Sequence, residues 1–201
     1  MKLLVFRSLW GTPGTAEQQI AQIKEDGYDG VEHANFTVDR DVFKKMLKDN
    51  DLLLNIGIWP SDSREFEAAM EWALPYEPVR IFSHSGRDCM SRDDGCRFLE
   101  EVLKIQQRLG VEVAHETHRG RLLYSPWTTL FYLQRFPELK INADFSHWVN
   151  VCERLPDDQQ EALDLACERA IHIHGRVGFE QGPQVPDPSA PEYQMHLEWH
   201  E

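Results

Sequence analysis

Residues 139–148 read LKINADFSHW. An apolar stretch, Leu139–Ala143, runs straight into an aspartate and, three residues later, a histidine. Two other stretches have the same form: 111–118, VEVAHETH, and 171–176, IHIHGR. In each, an apolar run that reads as a buried strand stops at side chains able to bind a cation. Working outward, further apolar runs lie at Leu3–Phe6, Gly30–His33, Leu52–Ile58 and Val79–Ser83. With Val111–His115, Leu139–Ala143 and Ile171–His174 they make seven expected strands. They are rich in Val, Ile and Leu and do not alternate, as expected of parallel strands buried on both faces.

Helical patterns fill the gaps. Phe98, Val102, Ile105 and Leu109 form an i, i+4, i+7, i+11 stripe, and Gly110 stops it. Thr15 and Gln18 form a capping-box pattern ahead of Ile20 and Ile23. Ser125-Pro126 reads as an N-cap followed by proline at the first helical position. Phe66, Met70 and Ala73 mark another helix, and Val42, Phe43, Met46 and Leu47 one more. Strand–helix units in unbroken series mean a parallel sheet, doubly wound or closed into a barrel. A complete eight-unit barrel takes about 250 residues. This chain of 201 residues is therefore read as a single domain, 1–201, short by one strand and its helix. The irregular stretch from Gly178 to Pro191 is long enough to be read as functional.

Composition limits what the site serves. Acidic residues number 34 against 21 basic, a formal net charge of -13. Such a field repels nucleic acid, so no nucleic-acid partner is expected. The dense basic cluster is His118, Arg119 and Arg121. No apolar run approaches the roughly 20 residues that span a bilayer. The short apolar start, interrupted by Arg7, reads as a strand rather than a secretion signal, and a cytoplasmic location is expected. Cys89, Cys96, Cys152 and Cys167 match no zinc spacing and are expected as free thiols.

In a parallel barrel the active site lies at the C-terminal ends of the strands. There the fifth run ends at Glu116, the sixth at Asp144 with His147, and the seventh at His174 with Arg176. Carboxylate and imidazole together suit Mn²⁺, Co²⁺, Zn²⁺ or Mg²⁺. His115 and His172 are expected to face away, since neighbours on a strand alternate faces. His33 reads as structural, and His84 as a rim residue or a structural one. Trp10 and Trp59, after the first and third strands, are candidates to pack on a sugar's apolar face or simply to close the barrel mouth.

The sequence E-T-H, then D-F-S-H-W, then H-I-H-G-R-V-G resembles the xylose isomerase-like TIM-barrel superfamily, over essentially the whole chain. That superfamily includes sugar-phosphate isomerases and epimerases and endonuclease IV. The resemblance implies one divalent metal ion held by Glu116, Asp144 and His174. It implies catalytic roles for Glu116 and His147, and substrate contacts from His147, Arg176, His84, Trp10 and Trp59. The activity it implies is isomerisation or epimerisation of a sugar, sugar phosphate or related polyol through an enediolate. The partner is a small carbohydrate-like substrate, and a homo-oligomer is possible. The family's isomerases carry a second glutamate on an eighth strand, which this sequence does not reach, so a catalytically incomplete barrel is one alternative. The other is an endonuclease IV-like phosphodiesterase, for which Asp187 stands at the right distance from His174. The histidine that follows in that nuclease is Ser189 here.

Overall fold

The computed structural model describes residues 2–33 and 37–201. In chain order the elements are β1 (Phe6–Ser8), α1 (Ala16–Glu25), β2 (Gly30–His33), α2 (Arg40–Asp49), β3 (Leu53–Ile58), α3 (Ser63–Ala73), β4 (Arg80–Ser83), α4 (Arg92–Leu109), β5 (Val113–Glu116), α5 (Pro126–Arg135), β6 (Lys140–Ala143), α6 (Ser146–Cys152), α7 (Gln160–Arg169), β7 (Ala170–Ile173) and α8 (Gln194–His200). The strand order is β1-β2-β3-β4-β5-β6-β7, so strand follows strand as in the chain. The chain divides into two compact units.

The first unit holds the residues up to Ile58 with Ala68–Phe82. Its strands β1, β2 and β3 pair in parallel, with Phe6 beside Gly30 and Gly30 beside Leu53. Ile20, Ile23, Val31, Phe43, Ile56 and Met70 are its buried centre. The capping box at Thr15 forms as expected. The first strand does not lie where the apolar run suggested. Leu3 is 75% exposed and the strand begins at Phe6, because pairing with Gly30 and Val31 sets the register and an apolar run alone does not.

The second unit holds Trp59–Glu67 and Ser83–Glu201, and with them every chemically active strand end except those of the first unit. Here β5 pairs with β6 and β6 with β7, all parallel. Between β6 and β7 the register slips: Ile141 lies beside Ala170, but Asn142 lies beside His172. One extra residue, Ile171, is thus bulged out of β7. On α4 the buried set is Gly95, Phe98, Leu99, Val102 and Gln106. Ile105 and Leu109, expected on that face, are only partly covered. Gln106 takes the place because it has partners inside: its Oε1 accepts from the Val113 amide at 3.0 Å and its Nε2 meets His115 at 3.0 Å. Two helices carried no clear sequence signal. In α7 the buried residues are Ala162 and Ala166, too small to make an apolar stripe. The other, α6, is only seven residues long. The four cysteines are unpaired, as expected. No helix among the described residues is long and apolar enough to cross a membrane.

Candidate active site and metal centre

The geometry of the site begins with β5, β6 and their period of two. Glu116 is the last residue of β5, and Asn142 and Asp144 lie two apart along β6 and its end, so both face the same side. Asn142 Nδ2 donates to Glu116 Oε2 at 3.0 Å. The Asp144 amide donates to Thr117 Oγ1 at 2.8 Å, which ties the end of β6 to the residue after β5. The chain then enters α6, and Ser146 Oγ donates to Asp144 Oδ1. Trp148, fully buried, anchors this helix: its ring N–H donates to the Leu123 carbonyl at 3.2 Å. Gly178 packs against α6 at Ser146 and Val149. A side chain at Gly178 would meet the Ser146 carbonyl at 2.6 Å, so only glycine lets the backbones approach this closely.

Four histidines surround the two carboxylates. His84 Nε2 lies 3.0 Å from Glu116 Oε2, and His174 Nδ1 lies 3.3 Å from the same oxygen. His147 Nε2 lies 3.5 Å from Asp144 Oδ2 and 3.9 Å from Glu116 Oε1. His118 stacks between two of them, its ring centre 3.9 Å from that of His147 and 4.5 Å from that of His84. Arg176 Nη1 stands 3.7 Å from Asp144 Oδ2. Trp59 packs its ring 5.2 Å from His84.

The electrostatics follow from burial. Glu116 and Asp144 are both essentially inaccessible. For Asp144, burial and then the charge of Glu116 push the carboxyl up to about 6, against the hydrogen bond from Ser146. Burial pushes Glu116 up as well, but hydrogen bonds from His174 and His84 outweigh it and hold the group well below the usual carboxylate range. Burial, with the neighbouring His118, keeps His147 neutral. Two polar atoms at the centre, Asp144 Oδ2 and His147 Nε2, are buried and make no hydrogen bond. Orphaned buried polar atoms of this kind are rare in folded proteins and call for a missing partner. One ligand atom from each of Glu116, Asp144 and His147 falls within 4.8 Å of the others, and the same holds for His84, Glu116 and His118. His174 Nδ1, 3.9 Å from Asp144 Oδ2 and close to Glu116 Oε2, makes with them a set of two carboxylate oxygens and one imidazole nitrogen, which suits a divalent cation. The residues fit one.

Four residues expected to share one site, Glu116, Asp144, His147 and His174, are thus together, with His84, Arg176 and Trp59 beside them. Trp10 lies in the first unit and is 86% exposed. Asp187 is exposed, and its Oδ1 accepts from the amide and hydroxyl of Ser189, which closes a local turn. His115 faces away as expected, buried against Phe66, with its Nδ1 2.6 Å from Ser85 Oγ. The expectation for His172 needs correcting. It stands two residues before His174, hence on the same face, and the two rings lie 5.2 Å apart. Sequence reasoning missed Asn142, Ser146, His118 and Gln184. The first and third were accessible from the period of two alone, counting from Asp144 and Glu116. Gln184 was not: it reaches back 37 residues from the loop to His147 Nδ1, at 3.3 Å.

No known family's sequence profile matches the chain, and no curated protein matches it. Solved structures do. The probable 3-DHS dehydratase AsbF of Bacillus anthracis, involved in petrobactin synthesis, superposes with a TM-score of 0.67 over 95% of this chain and 79% of its own, at 15% identity. A xylose isomerase domain protein of Planctomyces limnophilus gives 0.66 over 98% and 86%, also at 15% identity. The fold is that of the xylose isomerase-like TIM barrels. The described residues form seven strands in sequential order. A third member, from Mycobacterium smegmatis in complex with magnesium, gives 0.64 over 87% of this chain and 74% of its own at 12% identity.

Proposed function

We propose that this xylose isomerase-like barrel is a divalent-metal-dependent isomerase or epimerase acting on a sugar, sugar phosphate or related polyol. The observation that carries the reading is the buried pair Glu116 and Asp144, with Asp144 Oδ2 and His147 Nε2 beside them left without a hydrogen bond. A divalent cation, when bound, polarises a substrate carbonyl or hydroxyl and acidifies the adjacent C–H. Glu116, Asp144 and His174 would hold it. Glu116 suits this role because its carboxyl is held ionised, and Asn142 and the histidines fix its position.

His147 is assigned to the substrate rather than to the cation by its partner. Gln184 Nε2 donates to Ser146 Oγ at 3.1 Å and lies 3.3 Å from His147 Nδ1. With Gln184 donating to Nδ1, the ring proton sits on Nε2, which faces the two carboxylates. A neutral imidazole N–H there donates to a substrate oxygen as negative charge develops on it. Arg176, partly exposed at the same edge, would hold a second hydroxyl or an anionic group. Trp59 beside His84 offers an apolar face to the sugar ring.

The Bacillus anthracis neighbour, described as a probable dehydratase, supports a second reading from the same site. Proton removal beside a carbonyl leads either to reprotonation or to loss of a neighbouring hydroxyl. The nuclease reading loses support from Asp187, which is used up in its own turn. The test is proton exchange. The metal-loaded chain in D₂O, offered hydroxy-aldehydes, hydroxy-ketones and hydroxy-acids, should exchange a carbon-bound proton in at least one, seen by NMR. A folded, metal-loaded chain that exchanges none, while cleaving a phosphodiester probe, would overturn the proposal.

A further inference from the structure

We infer that the substrate is larger than a single sugar, and that a cavity beside His147 receives a second sugar unit joined to the reacting one. The inference rests on the reading above for the reacting unit, and the two can fail separately. The cavity has a volume of about 540 Å³, within the roughly 300–1,000 Å³ of small-molecule sites. Arg119, Asn150, Glu153, Glu180, Gln181 and Pro183 are among the residues that line it, all in the second unit. Three links tie it to the catalytic residues. Arg119 follows His118, whose ring stacks on His147. Asn150 stands about one turn of α6 beyond His147. Pro183 precedes Gln184, which reaches His147 Nδ1 at 3.3 Å.

The lining selects the ligand. Glu153 and Glu180 oppose an anion, and Arg119 opposes a cation. No aromatic side chain lines the cavity, so an apolar ring has little to pack on. The fitting ligand is neutral, with groups that both donate and accept. A hydroxyl does both: it accepts from a guanidinium or carboxamide and donates to a carboxylate. Hydrogen bonds to ionised partners are also the stronger kind. The walls are held in place by their own contacts. Asn150 Nδ2 donates to the carbonyls of Phe179 at 3.0 Å and Gly182 at 2.9 Å, which leaves Oδ1 to accept from Arg119 Nη1 at 2.6 Å. Arg119 thus has a fixed direction, and a guanidinium has further N–H groups to give a ligand. Glu180 Oε2 lies 2.5 Å from His196 Nε2, and the His196 ring packs against Phe179 and Tyr193. Walls set in this way cost little ordering when a ligand arrives. The basic cluster after β5 and the irregular stretch from Gly178 to Pro191 meet here.

The experiment is isothermal titration calorimetry of the full chain in the presence of Zn²⁺, with circular dichroism to confirm that each variant folds. Glucose is compared with maltose, cellobiose and lactose, and xylose with xylobiose. At least one disaccharide should bind about 10–100-fold more tightly than its monosaccharide, the gain expected of hydrogen bonds to charged groups. Arg119→Gln and Glu153→Ala should each cut that ratio by about tenfold. 4-O-benzylglucose, which offers an apolar ring in place of the second sugar, should show no such gain over glucose. Equal or weaker binding of every disaccharide, an equal gain for the benzyl compound, or a ratio unchanged in both folded variants overturns the second sugar unit. A disaccharide preference in a chain that exchanges no proton leaves the cavity's role standing and removes the isomerase reading. Proton exchange without the preference does the reverse.

Discussion

His115 gives the protein a built-in sensitivity to acid. The residue is fully buried beside Glu116, with Gln106 Nε2 at 3.0 Å from one ring nitrogen and Ser85 Oγ at 2.6 Å from the other. Burial lowers its pKa from 6.5 to about 4. In the unfolded chain the ring takes a proton near 6.5, whereas the folded chain refuses it until about 4. Between those values the unfolded state binds more protons, so the contribution is complete above pH 6.5 and is lost as pH falls toward 4. At 1.36 kcal/mol per pH unit of separation, the neutral seat loses about 2 kcal/mol by pH 5 and about 3 kcal/mol by pH 4. The assay is urea unfolding at pH 7.5, 6.5, 5.5 and 5.0 for the parent and for His115→Gln. The variant starts lower because its hydrogen bonds are disturbed, but its stability should fall with acid by about 2 kcal/mol less than the parent's. Parallel pH profiles would refute the reasoning, since they would mean that His115 does not distinguish folded from unfolded chain.

Three further outcomes are expected. Asn142→Ala removes the amide that holds Glu116 and sits beside His174, and should weaken Zn²⁺ binding by about 10–100-fold in a competition titration without unfolding the chain. Gly95→Ala would place a methyl 2.0 Å from the Tyr132 hydroxyl oxygen and 2.8 Å from Leu122 Cδ1. The resulting overpacking between α4 and α5 should cost about 1–3 kcal/mol by urea midpoint, although alanine is the better helix former by about 1 kcal/mol. Trp148→Ala leaves a void under α6 and should cost about 3–5 kcal/mol in the same assay, with Asp144 and His147 displaced and Zn²⁺ affinity reduced in parallel.

Strands β3 to β6 were legible in the sequence because they are buried on both faces and so read as apolar runs. An apolar run alone is not enough at the start of the chain: Leu3, Leu4 and Val5 look like strand but stand exposed, and register with Gly30 begins the strand three residues later. Helices were legible where large side chains mark the buried face. They were missed in α7, where alanines do the packing, and one stripe on α4 was misjudged because Gln106 is buried through hydrogen bonds that hydropathy does not see. Within the site, Glu116, Asp144, His147 and His174 stood out because each ends or follows an apolar run. His118 was read as part of a basic patch, although its place two residues after Glu116 puts it on the same side. Gln184 could not be found, since its role depends on the path of a loop and not on any local pattern.

The slip between β6 and β7 makes the chain tolerant of one deletion and intolerant of another. Ile171 has no opposite number on β6, so removing it leaves His172 beside Asn142 and His174 level with Asp144. Removing Ile173 instead turns His174 to the other side of the sheet, and the cluster loses a ligand. Two deletions of the same residue type, two positions apart, should therefore differ as sharply in Zn²⁺ binding as a silent change and a knockout.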